Sequence, residues 1–185
     1  MSRIATPAIA DTPAASQPLL EGVKKQLGIV PNLFRVIGNS PAALKGHLDL
    51  HGALSKGKLS AATRERIAIA VAELDGCDYC LSAHTYIGKN LLKLDDAELA
   101  ANRDGTSKDP NADAAVRFAT TVVRKRGRVN DDDLRAVKLA GYDDAAVVEL
   151  VQNVALNIWT NYLNEVAQTE VDFPVLNTRG GEAKA

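Results

Sequence analysis

No stretch of this chain alternates β-branched and polar residues in the two-residue rhythm of a half-buried strand, and aromatic residues make up only 4% of it. Helix punctuation recurs instead, so the expected fold is all-α. Leu19 to Leu27 reads as a first short helix closed by Gly28, and Asn32 to Ile37 as a second that stops at Gly38-Asn39-Ser40. Pro41 suits the first position of a helix running to about Ser55, where its missing N–H is not needed. Ser60 is a good N-cap for Ala61 to Asp75, whose Ile67, Val71 and Leu74 form an apolar stripe, and Gly76 closes that helix. A further helix starts at or just after Cys77 and ends near Gly88. Asp95 to Ala101 is short. Asn111 to Lys125 turns Ala115, Phe118, Ala119 and Val122 inward. Asn130 caps Asp131 to Ala140, and a long helix runs from Asp143 or Asp144 to about Gln168. The organisation expected is a flexible or wrapping arm at 1–17, one helical domain at 18–175 and a tail at 176–185. A chain of 185 residues can bury a real core in one such domain.

Charge excludes some partners. The formal net charge is −1, which gives no pull toward nucleic acid or anionic membranes. The one basic run, Arg124-Lys125-Arg126-Gly127-Arg128, falls where a helix ends and is followed by Asp131-Asp132-Asp133, a placement that suits the helix dipole. A bilayer span needs roughly 18 apolar residues. The most apolar stretch, Val147 to Trp159, is interrupted by Glu149, Gln152, Asn153 and Asn157. The first residues lack the apolar core of a signal peptide, so a cytoplasmic location is expected. There a close cysteine pair points to catalysis or metal binding rather than to a structural staple.

That pair is the whole cysteine content of the chain: Cys77 and Cys80, with His84 one turn beyond. On a helix a spacing of three brings Cα atoms to roughly 5–6 Å, within disulfide reach. The i+4 spacing sets the imidazole on the face of the second sulfur. Cys77 lies at a helix start, where unpaired N–H groups and the macrodipole favour a thiolate. A carboxylate is then needed to orient His84 or relay its proton. Glu73 and Glu65 stand upstream, and Glu65, flanked by Arg64 and Arg66, also reads as an ordinary solvated charge paired with its neighbours. Spacing leaves open which sulfur attacks, since the helix start favours Cys77 and the histidine favours Cys80.

The pattern Glu65-x11-Cys77-x-x-Cys80-x3-His84 resembles the AhpD-like alkylhydroperoxidase group of the carboxymuconolactone decarboxylase superfamily. The run Asn157-Ile158-Trp159-Thr160-Asn161-Tyr162-Leu163-Asn164, with Asp172-Phe173-Pro174, is similar to its peroxidase-related subgroup. The resemblance implies an AhpD-like helical fold, a homo-oligomer and a hydroperoxide substrate. It implies that Cys80 is the peroxidatic nucleophile, Cys77 the resolving cysteine, and His84 and Glu65 the proton relay. One position departs from the pattern: Tyr79 stands where characterised members carry a histidine, and a phenol with a pKa of about 10 cannot shuttle protons at neutral pH.

Three other readings compete. Cys77, Cys80 and His84 with Glu65 or another histidine would make a zinc site, and His47 and His51 are the remaining pair, although they also read as an ordinary amphipathic turn. A lactone decarboxylase needs acid–base groups but no dithiol. A redox sensor or assembly protein would keep the dithiol without turnover. No metal is expected, because the chain has one Cys-x-x-Cys where structural zinc sites usually bring a second ligand pair, and no organic cofactor, because no phosphate-cradling loop or dinucleotide fingerprint is present. Reducing power would then come from a thioredoxin-like or lipoyl-bearing partner.

Overall fold

The structure, a computed structural model, describes residues 2–180; Met1 and the last five residues of the expected tail lie outside the described part. Among the described residues nine α-helices follow a single 3-10 turn at Ile9–Asp11: α1 (Gln17–Leu27), α2 (Asn32–Ile37), α3 (Pro41–Leu54), α4 (Ala61–Asp75), α5 (Asp78–Asn90), α6 (Asp96–Arg103), α7 (Pro110–Lys125), α8 (Asp131–Leu139) and α9 (Asp144–Ala167). No strand occurs among the described residues. Side-chain caps set most of the helix starts. Ser60 Oγ accepts from the Thr63 N–H at 3.0 Å, Asp95 from Glu98 at 2.7 Å and Asp143 from Ala146 at 2.9 Å. Asn130 and Asp133 form a reciprocal capping box at the start of α8. The basic run ends α7: Lys125 pairs with Asp133 at 2.6 Å, and Arg126 takes the left-handed cap position.

Helix α4 is the centre of the molecule, packed by α5, α6, α7 and α9. Its burial is nearly all-round, with Ile67, Ala68, Ile69, Ala70, Val71 and Ala72 all enclosed. Two clusters divide along it. Ile67, Ala70 and Val71 join Ala115, Phe118, Ala119 and Val122 of α7 with Leu150 and Val154 of α9. On the other side Ile69 and Ala72 join Cys77, Tyr79, Cys80, Leu81 and Leu99. Leu74, expected in the stripe with Ile67 and Val71, is only half-buried; it lies in the last turn of α4, beyond the enclosed run Ile67 to Ala72. Helix α5 continues past Gly88 to Asn90. Gly88 serves close approach rather than termination: a Cβ there would meet Leu99 Cδ2 at 3.1 Å.

The described segments before α1 and after α9 both touch the body. Arg35 holds the arm by donating to the carbonyls of Thr6 at 2.5 Å and Pro7 at 2.8 Å. After α9 the chain doubles back as an extended strap along α5. The Leu176 N–H donates to Ser82 Oγ at 2.9 Å, and the Thr178 N–H donates to Asp78 Oδ1 at 2.8 Å. Val171, Phe173 and Leu176 of this strap pack on the cluster that contains the cysteines. No helix among the described residues is long and apolar enough to cross a membrane.

Candidate active site

The corner between α4 and α5 builds the site. Gly76 sits at φ 71° and ψ 26°, a left-handed conformation that costs a glycine little, and it turns the chain from one helix directly into the next. Cys77 is therefore the N-cap of α5, and its Sγ accepts from the Cys80 N–H at 3.3 Å. A sulfur stands where a serine or aspartate oxygen would usually cap. Both cysteines are free, and both are enclosed, Cys77 at 0% and Cys80 at 2% exposure.

Burial pushes the Cys80 thiol well above the ordinary range, and the neighbouring Cys77 sulfur pushes it further. The Asn164 amide, whose Nδ2–H donates to Cys80 Sγ at 3.1 Å, opposes both. At rest Cys80 is a protonated thiol, and turning it into a nucleophile requires a base.

His84 and Glu65, paired in the pattern that carries the resemblance, are brought together. His84 Nδ1 and Glu65 Oε1 lie 2.8 Å apart, with the two side chains 24% and 13% exposed. A carboxylate can only accept, so Nδ1 carries the hydrogen and Nε2 is the ring nitrogen left to take a proton. The reading of Glu65 as a charge shared with its flanking arginines does not hold. Arg64 donates to the Leu59 carbonyl at 2.5 Å, and Arg66 pairs with Glu98 at 2.6 Å. Glu73 is engaged elsewhere, with Arg103 at 2.5 Å.

The Tyr79 hydroxyl is engaged with α2 and the strap. Its hydroxyl donates to Asp172 Oδ1 at 2.8 Å and accepts from the Leu33 N–H at 3.1 Å, while its ring meets Phe173 edge-on at 5.9 Å. Burial, more than any neighbour, raises its ionisation far above neutrality. His47 lies between Phe34 and Trp159, with ring centroids 5.6 and 5.2 Å away. Burial, and then His51, lowers its pKa to about 4, so it stays neutral. Among the described residues no group of three or more His, Cys, Asp or Glu side chains is placed to hold a metal ion.

Spacing alone does not single out Asn164. Its signal is the amide-rich face of an otherwise apolar helix: Asn153, Asn157, Asn161 and Asn164 are all buried at helical spacing on α9. Buried amides in such a row call for partners, and two of them lie across the helix packing, on Asp75 at 2.9 Å and on Cys80.

Comparison with known proteins agrees with this architecture. Residues 41–121, which contain Glu65, Cys77, Cys80 and His84, match the profile of the Carboxymuconolactone decarboxylase family. A solved peroxidase-related protein from Ralstonia eutropha JMP134, described as an alkylhydroperoxidase AhpD core, superposes with a TM-score of 0.78 at 25% identity, covering 92% of each chain. A peroxidase-related protein from Silicibacter sp. TM1040 gives 0.75 at 22% identity over 91% of each chain. The debrominase Bmp8 gives 0.72 at 19% identity, covering 86% of this chain and 87% of that one. No match was found among curated protein sequences.

Proposed function

The chain belongs to the carboxymuconolactone decarboxylase superfamily, in its AhpD-like group, and from that premise we propose that it is a thiol-dependent hydroperoxide reductase. One observation carries the proposal: the imidazole one turn past Cys80 is held at 2.8 Å by a carboxylate from the neighbouring helix. His84 Nε2 accepts the Cys80 proton, and the thiolate attacks the terminal oxygen of R–O–O–H. The O–O bond breaks, Cys80 becomes a sulfenic acid, and the alkoxide leaves with the proton that His84 holds. The peroxide gains two electrons and the sulfur loses two. Cys77 then condenses with the sulfenic acid to give a disulfide and water. A dithiol reductant, thioredoxin-like or lipoyl-bearing, supplies two electrons and two protons to restore the pair. Cys80 is assigned the attack because Asn164 donates to its sulfur and His84 follows it by one helical turn, and Cys77, whose sulfur caps the helix within the same turn, is assigned resolution.

The test is the free-thiol content of the chain before and after one equivalent of an organic hydroperoxide, alongside Cys80→Ser. Loss of both thiols in the parent with no peroxide consumed by the variant is the expected result. Unchanged thiols in the parent overturn the proposal. A second reading has one observation behind it: a cysteine-to-alanine variant of Bmp8 is solved in complex with 2,3,4-tribromopyrrole, on a fold that matches with a TM-score of 0.71. Thiol loss on adding a brominated pyrrole, but not on adding a hydroperoxide, would favour reductive dehalogenation.

A further inference from the structure

We propose that the Asn164 carboxamide is the oxygen-transfer clamp of Cys80: its Nδ2–H holds the thiolate, and its Oδ1 receives the O–H of the oxygen that the sulfur acquires. The first half stands on a direct contact. Nδ2 lies 3.1 Å from Cys80 Sγ, a hydrogen-bond distance to sulfur, and Asn164 is 2% exposed, so water does not compete for the amide. A donor at that place stabilises the charged sulfur more than the neutral one, which lowers the cost of forming a nucleophile in an apolar setting.

The second half stands on what the amide lacks. Asn164 Oδ1 is buried and has no hydrogen-bond partner among the described residues. A buried carbonyl oxygen without a donor is costly and is seldom retained without a use. Nδ2 and Oδ1 share one carbon, so the orphan acceptor sits beside the reacting sulfur. An incoming hydroperoxide brings one donor, the hydrogen on its terminal oxygen. That oxygen is the one transferred, and its hydrogen stays on it as the peroxide becomes the sulfenic acid. One acceptor therefore serves the reactant, the transition state and the Cys80–S–OH product, while the condensation with Cys77 removes the hydroxyl as water and vacates it. The same atom pair binds both ends of the new S–O bond.

This second half rests on the peroxidase reading; the first does not, and the experiment separates them. In a Cys77→Ser background, where Cys80 is the only thiol, ionisation of Cys80 is followed by thiolate absorbance near 240 nm, with no peroxide present. Asn164→Leu, similar in shape but unable to donate or accept, is expected to raise the midpoint by about one pH unit and to shorten the dimedone-trappable lifetime of the sulfenic acid about tenfold or more. Asn164→Asp, which keeps an acceptor but replaces the donor with a negative charge, is expected to raise the midpoint at least as far while preserving the sulfenic acid better than Asn164→Leu does. A midpoint unchanged in Asn164→Leu overturns the thiolate role, and equal sulfenic acid lifetimes in the parent background and Asn164→Leu overturn the acceptor role. If the parent chain itself ignores hydroperoxide, the proposed function and the acceptor role fall together, while the titration still decides the thiolate role. Should the variants fail to fold, the Asn164 side-chain amide resonance in the unmutated chain decides it: movement with Cys80 ionisation supports the contact, and indifference refutes it.

Discussion

Glu65 fixes which nitrogen of His84 is left free to accept a proton, and that is a property of one oxygen at 2.8 Å. Replacing it with an amide of the same shape keeps a hydrogen bond but removes the charge that stabilises the imidazolium. Glu65→Gln is therefore expected to slow hydroperoxide consumption by about tenfold to a hundredfold, with little change in the urea midpoint, as steady-state kinetics and denaturation together would show. Glu65 was singled out by the family resemblance rather than by spacing, whereas Cys77, Cys80 and His84 were readable from the chain because they share one helix and its cap. Asn164 and Asp172 were not. Their partners Cys80 and Tyr79 lie 84 and 93 residues away, and nothing local reports how α9 or the strap crosses α5.

Among elements, the sequence marked helices by their ends and marked them well, since Ser60, Asn130 and Asp143 cap helices in the structure. Gly76 and Gly88 separate what punctuation can and cannot tell. Both interrupt good helix formers, yet Gly76 takes a positive φ and stops α4, whereas Gly88 stays helical because α6 passes close to it. The strap is the element that no local signal revealed, because an extended segment is recognised by what it lies on. Tyr79 links it to α2 through Asp172 and Leu33. Tyr79→Phe leaves the Leu33 N–H and one Asp172 oxygen without the hydroxyl, at a cost of about 1–2 kcal/mol. Hydrogen exchange is expected to quicken at the Leu176 and Thr178 amides, while the oxidation rate of Cys80 changes less than threefold. An equally protected strap in the variant would show that the hydroxyl does not hold it.

The whole molecule should lose stability toward acid in two stages. His47 has its pKa lowered from 6.5 to about 4, first by burial and then by His51. The unfolded chain therefore takes up that proton first, and stability falls as the pH drops from about 6.5 to about 4. Glu98 then contributes. Its burial opposes ionisation, but Ser107, Asn102, the Lys108 N–H and Arg66 outweigh that and hold the carboxyl at about 2, against 4.5 unperturbed. The stability it supplies is complete above the unfolded value and disappears as the pH falls from about 4.5 to about 2. Urea midpoints measured across this range should show both slopes, and His47→Phe should flatten the upper one. A further consequence attaches to the sulfur at the head of α5. Cys77 Sγ, which accepts the Cys80 N–H at 3.3 Å, would become a poorer acceptor once bound in a disulfide. The oxidised protein would then forgo an N-cap that, sulfur being a weaker acceptor than the usual oxygen, is worth at most about 1 kcal/mol, which makes the couple more oxidising by at most roughly 20 mV. Electrochemical equilibration against a glutathione or lipoate couple would read that offset, and through it the fold itself would help its reductant by tilting the pair back toward the dithiol.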